Sequence, residues 1–130
     1  GVFQAVLGTL SLKGYGSVIH HVRANTYAGD GQRCQVKILW AKLREYGPHQ
    51  DVEPQILKQQ TGHVYTYQFS GNESDLKSVI IPGQMQGYPT QPPAFERAPD
   101  WATHAFLLID VTEMKSNFDL RITDVYLRQV

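Results

Sequence analysis

The segment Gly62-His63-Val64-Tyr65-Thr66-Tyr67-Gln68-Phe69-Ser70-Gly71 decides how the fold of this chain is predicted. Rings occupy every second position from His63 to Phe69, and small or polar side chains fill the positions between them. Because successive side chains on a β-strand point to opposite faces, this alternation predicts a strand with one aromatic face. The other face is too polar to be the main core-facing side, which favours burial of the aromatic one.

The segments on either side of this strand also carry β-strand patterns. Strands are predicted at 2–12, 17–27, 32–44, 75–81, 105–111 and 118–127. Ala28-Gly29-Asp30-Gly31 is typical of a tight turn and predicts a hairpin between the second and third of these strands. The alternation slips after Trp40, which indicates a bulge or a bend. The last strand changes phase near Thr123-Asp124.

Two stretches depart from the β-pattern. Residues 53–60 are predicted to form about two turns of helix, with Ile56 and Leu57 facing inward. Residues 82–100 contain five of the seven prolines and predict a long loop or arm, because proline cannot donate to a sheet ladder. With no repeat and at most one short helix, the fold class is all-β. We expect a single domain over 1–130, as a small barrel or a sandwich.

Composition restricts the function classes. Lys and Arg number 12 and Asp and Glu number 12, so the net charge is zero. This balance argues against a strongly basic nucleic-acid binder but leaves room for a local basic groove. The single Cys34 lies in an apolar alternation and predicts a buried, inert thiol. One cysteine and no signal pattern favour an intracellular location, and no segment predicts a membrane span. The chain opens at Gly1, which indicates processing, trimming or a longer parent protein.

Known catalytic and metal-binding patterns are missing from the sequence. The five histidines do not have the spacing of a zinc site, and His20 and His21 would face opposite sides of a strand. There is no G-x-S-x-G elbow, and Gly14-Tyr15-Gly16 lacks the third glycine of a phosphate-binding loop. We therefore expect a protein that is not an enzyme and that uses no metal and no cofactor.

Rings and cations remain as the candidate binding groups. The predicted ligand-binding residues are Tyr15, Arg23, Tyr27, Arg33, Lys37, Tyr65, Tyr67, Tyr88, Phe95 and Arg97. Arg33 and Lys37 share the polar face of the third strand, and Arg23 lies on the second strand. Cations beside rings on two neighbouring strands are the composition of a groove that tracks a nucleic-acid backbone and stacks bases. The alternative for each ring is a place in the core, although rings in loops, such as Tyr88, have less packing reason to exist.

Three segments carry a resemblance to a known family. Leu57-Lys58-Gln59-Gln60-Thr61-Gly62 with the following strand to Phe69 resembles a helix end, glycine and strand of OB-fold single-strand-binding proteins. The closing segment 120–127 is similar to their terminal strand. The opening segment 6–10 fits their first strand, which bends at a glycine. The resemblance implies a five-stranded barrel that binds single-stranded DNA or RNA across one face.

Two other functions fit the same sequence. A carbohydrate-binding β-sandwich module is one, because twelve glutamines, seven tyrosines and a neutral charge suit the recognition of hydroxyls and sugar faces. A structural or assembly subunit of a viral or filamentous particle is the other. In that case the arm at 82–100 and the first strand would contact neighbouring copies in a homo-oligomer. Salt separates nucleic-acid binding from the others, because its affinity falls steeply with salt concentration.

Overall fold

The computed structural model describes residues 3–14, 16–44, 55–82, 94–115 and 118–130. Within these ranges the protein has eight strands and no helix, which confirms the all-β prediction. The strands are β1 (Gln4–Ser11), β2 (Ser17–Thr26), β3 (Arg33–Leu43), β4 (Ile56–Gln68), β5 (Lys77–Ile81), β6 (Ala94–Arg97), β7 (His104–Asp110) and β8 (Leu120–Gln129). They form two antiparallel sheets, an architecture compatible with a small sandwich or a barrel-like fold.

The two sheets differ in how their strands are arranged. Sheet A has the order β1-β7-β3-β4. Sheet B is centred on β2, which pairs with β8 over most of its length. The other edge of β2 is shared, since β5 pairs with Val22–Thr26 and β6 pairs with Ser17–His20. On one side of the molecule β1 comes close to β8, where a Cβ added at Gly8 would lie 3.4 Å from Leu127 Cδ2.

The core lies between the two sheets and consists of alternate residues from each strand. The completely buried members include Val18 and Val22 on β2, Val36 and Ile38 on β3, and Leu107 on β7. Apolar side chains on the inward face of β8, such as Val125 and Leu127, pack against this cluster. Because side chains alternate along a strand, the residues between these core positions face outward and are available for function.

Three local predictions about the elements are wrong. The predicted helix at 53–60 is replaced in its described part by the start of β4, where Ile56 and Leu57 are exposed. The predicted long loop at 82–100 contains β6, which covers Ala94–Arg97, and residues 83–93 lie outside the described ranges. The turn at 28–31 does not close a hairpin, because β2 belongs to sheet B and β3 to sheet A. In each case the pairing of distant strands overrides a local pattern.

One of the two predicted irregularities corresponds to a bulge. In the β3–β4 ladder the register shifts between Lys37 and Leu39 and again between Lys42 and Leu43, but the extra residues lie on β4. Since β3 pairs with β7 through Trp40 without a shift, the slip predicted after Trp40 is not a bulge in β3. The β2–β8 register shifts where Asp124 is followed by Ile122, which matches the predicted phase change. Each shift changes which residues face inward, because side chains alternate with a period of two.

Candidate functional site

The outward side of sheet B forms a cationic and aromatic surface, which we call the arginine face. Its members are His21, Arg23, Phe95, Arg97, Arg121, Tyr126 and Arg128. Four of the six arginines of the chain are in this set, and all four are exposed. They face outward because the intervening residues of β2, such as Val22, face the core.

Strand register brings these side chains together across three strands. Ile19 on β2 is paired with Phe95 on β6 and with Arg128 on β8. Two residues further along, His21 is paired with Tyr126, and their rings stack with centroids 5.0 Å apart and an interplanar angle of 19°. The His21–Tyr126 pair therefore has a cation on either side of it, Arg128 at one position and Arg23, opposite Asp124, at the other.

The bulge in β8 determines which residues at the start of this strand face solvent. Asp124 is paired with Arg23 on the outward side, and the register shift then places Ile122 beside Ala24 on the inward side. Arg121, paired with Asn25, consequently faces outward. Without the extra residue the apolar Ile122 would face solvent in place of a cation, because a shift of one position exchanges the two faces.

Few carboxylates neutralise the arginine face. Asp124 Oδ2 lies 3.8 Å from His21 Nε2, and Asp119 Oδ1 lies 3.6 Å from Arg121 Nε. Among the residues that the structure describes, the ion pairs do not include Arg23, Arg97 or Arg128. Within the described ranges these three guanidinium groups have no ion-pair partner, although Asp124 is paired in register with Arg23. Guanidinium binds phosphate in a bidentate geometry.

The structure brings together only some of the predicted binding residues. Arg23, Phe95 and Arg97 all lie on the arginine face, and the ring of Phe95 is 63% exposed. Arg33 and Lys37 lie on the outward side of sheet A. The predicted groove across neighbouring second and third strands is therefore wrong, since β2 and β3 are in different sheets.

Tyr65 and Tyr67 of β4 and the following Phe69 point toward the core, as the polar character of their opposite face predicts, whereas His63 is exposed. Phe69 is 1% exposed, and Tyr67 packs against the core with its ring 5.0 Å from that of Phe69. Tyr65 is partly buried and meets the rings of His20 and His63 edge-on. Burial raises the pKa of both tyrosines, and the negative charge of Glu96 adds to the effect at Tyr65.

The remaining predicted residues have separate positions. Tyr27 follows β2 and is 44% exposed beside an open cleft. Tyr15 and Tyr88 lie outside the described residues. Tyr126 and Arg128 were not among the predicted binding residues, although their spacing of two puts them on one face of the closing strand. Their importance depends on the pairing of β8 with β2, which no local pattern specifies.

A buried polar cluster connects the two sheets. His20 on β2 is 0% exposed, and its Nε2 lies 2.9 Å from Glu96 Oε2 on β6. The second oxygen of Glu96 accepts a hydrogen bond of 2.8 Å from the backbone N–H of His63 on β4. Within the described part of the chain, His20 Nδ1 has no hydrogen-bond partner. Because the His20 side chain has no solvent exposure, this cluster is suited to holding β6 against β4.

The described residues contain no metal-ion cluster and no membrane-spanning helix, and the chain has no match among known proteins. Across the described ranges, no group of three or more His, Cys, Asp or Glu side chains could hold a metal ion. No helix in those ranges is both long enough and apolar enough to span a membrane. The chain matches no known protein family, no curated protein and no solved structure.

Proposed function

We propose that this protein binds single-stranded DNA or RNA on the arginine face and catalyses no reaction on it. The observation that carries the proposal is the gathering of four of six arginines around the stacked His21–Tyr126 pair and the exposed ring of Phe95. The arginines bind phosphates, and the rings stack on bases. This combination of a basic surface with stacking rings is typical of proteins that bind single strands without strong sequence preference.

The neutral net charge is compatible with this proposal because the charges are unevenly distributed. All six lysines and the other two arginines lie off the arginine face. An anionic strand responds to the local potential of the surface that it approaches more than to the net charge of the whole protein. Release of counterions from each neutralised phosphate then supplies much of the affinity.

The spacing of the surface suits an extended strand. Side chains on one face of a β-strand recur about every 6.6 Å, so β2 and β8 present a regular series of contact points. Phe95 is exposed, and stacking of a base on an exposed ring contributes about 1–3 kcal/mol. A duplex hides the faces of its bases, which favours a single strand as the ligand.

Fluorescence anisotropy of a labelled oligothymidylate of about twelve nucleotides tests the proposal, since it covers a typical site size. The label is needed because neither Trp40, which is buried, nor Trp101, which lies beneath Lys58, belongs to the arginine face. We expect binding at about 50 mM salt that weakens steeply by about 200 mM. The substitutions R23Q and R128Q together should reduce the slope of log K against log salt by about 1.4, if each arginine neutralises one phosphate.

The variant R33Q/K37Q is the matched control, because it removes the same charge from the outward side of sheet A. Its salt slope should equal that of the unmodified protein. Equal losses in both double variants would show that only the net charge matters. No binding at about 50 mM salt would refute the proposal.

A further inference from the structure

A cleft divided by Tyr27 adjoins one end of the arginine face. Its larger chamber has a volume of about 470 Å³ and is lined by Gln32, Glu73 and Asp119, among other residues. The smaller chamber has a volume of about 110 Å³, and Asn25 and Arg121 lie in its wall. Tyr27 and Asp119 line both chambers. The larger volume falls in the range of small-molecule binding sites, about 300–1,000 Å³.

The backbone around Tyr27 is fixed by hydrogen bonds. The Tyr27 N–H donates to the Asp119 carbonyl over 3.4 Å, and the Thr26 hydroxyl donates to the same carbonyl over 2.6 Å. The Ala28 N–H donates in turn to the Thr26 hydroxyl over 3.1 Å. The ring of Tyr27 nevertheless remains 44% exposed. An exposed ring on a fixed backbone is preorganised for stacking, because little conformational entropy is lost when a ligand binds.

The charged side chains of the cleft are paired with one another. Glu73 is hydrogen-bonded to Lys115, and this contact lowers the pKa of the Glu73 carboxyl. Asp119 lies 3.6 Å from Arg121. The paired charges leave the cleft without a strong field of either sign, so it suits an uncharged polar group. Each carboxylate still has free lone pairs, since a carboxylate can accept about four hydrogen bonds.

We infer that the Tyr27 cleft binds one base of the strand whose phosphates lie on the arginine face, with preference for a base that carries an exocyclic amino group. This inference rests on the proposed function. A base is a planar, uncharged group attached to an anionic chain, and a neutral cleft walled by Tyr27 at the Arg121 end of the arginine face matches both parts. A sugar would account for the cleft but not for the adjoining cations.

The preference follows from the hydrogen-bonding groups of the cleft. Asp119 and Glu73 supply acceptors, and aspartate or glutamate accepts from the N4 amino group of cytosine. Thymine has a carbonyl oxygen at the same position, which is repelled by a carboxylate. Cytosine and thymine are similar in size, so a comparison of the two isolates the effect of the amino group.

Anisotropy with labelled oligodeoxycytidylate and oligothymidylate of equal length tests the inference. We expect the cytosine strand to bind about tenfold more tightly, which is within the discrimination of one good base contact. D119N should abolish this preference, because it weakens the contact with the cytosine amino group and relieves the repulsion of the thymine carbonyl. Y27A should weaken binding of the cytosine strand most. D100N, which changes an exposed aspartate elsewhere, is the matched control and should retain the preference.

The outcomes separate this inference from the proposed function. Equal affinity for the two strands in the unmodified protein would overturn the base-binding cleft and leave the arginine face intact. A preference that survives both D119N and Y27A would also overturn it. Absence of binding to either strand would refute the proposed function and the inference together. Binding of neutral saccharides that Y27A removes, in a protein that binds no oligonucleotide, would assign the cleft to sugars instead.

Discussion

The thiol of Cys34 lies on the inward side of β3, where it is 1% exposed, and burial raises its pKa to about 12. Because the thiolate is the reactive form, the native protein should react with Ellman's reagent at about pH 8 far more slowly than the unfolded chain. Absorbance at the reagent's product band measures this rate. Full reaction in guanidinium chloride is the control. Rapid reaction of the native protein would contradict the buried position.

Asp110 is a second residue whose surroundings set its protonation. Burial raises its pKa, but hydrogen bonds from the Thr112 hydroxyl, the Thr112 N–H and the Gln4 amide, with the charge of Lys37, lower it overall. Because the folded pKa is below the unfolded value of about 3.9, the stabilisation is present above that pH and is lost as pH falls through the folded pKa. D110N should therefore reduce the free energy of unfolding by about 1 kcal/mol at about pH 7.

Urea denaturation at about pH 7 and about pH 2 measures the pH dependence of this effect. The difference between D110N and the unmodified protein should shrink at the lower pH, because the stabilisation is lost as the carboxyl takes up a proton. D75N, at an exposed aspartate, is the control and should change stability little at either pH. A deficit of D110N that stays constant with pH would rule out the charged hydrogen bonds as its cause.

The bulge in β4 links the two sheets, because it contacts Glu96 on β6. Gly62 and His63 lie opposite Ile38, and the His63 N–H bonds to Glu96. A Cβ at Gly62 would come within 2.6 Å of Glu96 Oε1 and 3.1 Å of Trp40 Nε1. G62A should therefore displace the Glu96 carboxylate and reduce the free energy of unfolding by about 2 kcal/mol. Urea denaturation measures this loss.

A double-mutant cycle with E96A checks the cause of that loss. If both substitutions act through the same carboxylate, G62A should cost much less in the E96A background than alone. G8A is the matched control, because a Cβ at Gly8 would make only ordinary contact with Leu127, and its effect should stay within about 0.5 kcal/mol. Additive effects of G62A and E96A would show that the close contacts with Trp40 Nε1 and the Ile38 carbonyl are the cause.

Period-two patterns located most of the strands but not their partners. The ranges predicted for the second and third strands, 17–27 and 32–44, agree closely with β2 and β3. The pattern at 53–60 predicts a helix, whereas pairing with β3 makes the described residues from Ile56 onward extended. β6 was missed because the prolines around it dominate the local pattern. Tertiary pairing decides both cases, and pairing is not encoded in local periodicity.

The same limit applies to the candidate site. Arg23, Phe95 and Arg97 were predicted as binding residues from their chemistry alone, and the structure places them on one surface. Tyr126 and Arg128 join them only through the β2–β8 ladder. The sequence predicts that Arg33 and Arg23 share a groove because their strands are consecutive, but β2 and β3 lie in different sheets. Chemistry therefore predicted residue types, whereas topology determined which of them share a surface.

At the scale of the whole molecule, Phe95 and Tyr67 represent two different environments for a ring, the arginine face and the interior. Phe95 is 63% exposed on sheet B, whereas Tyr67 packs against the core from sheet A. Truncation of each ring should therefore affect a different property. F95A should weaken oligothymidylate binding by about 1–3 kcal/mol, because a stacked base is lost. Its free energy of unfolding should change by less than about 0.5 kcal/mol, since the ring is exposed.

Y67A should show the opposite result. Loss of a half-buried ring from the core should reduce the free energy of unfolding by about 2 kcal/mol, less than the cost for a fully buried aromatic residue. Its affinity for oligothymidylate should stay unchanged at temperatures well below its midpoint. Anisotropy and urea denaturation on the two variants in parallel measure both properties. If Y67A instead lost affinity without losing stability, the binding surface would lie on the inward edge of β4 and the arginine face would not be the site.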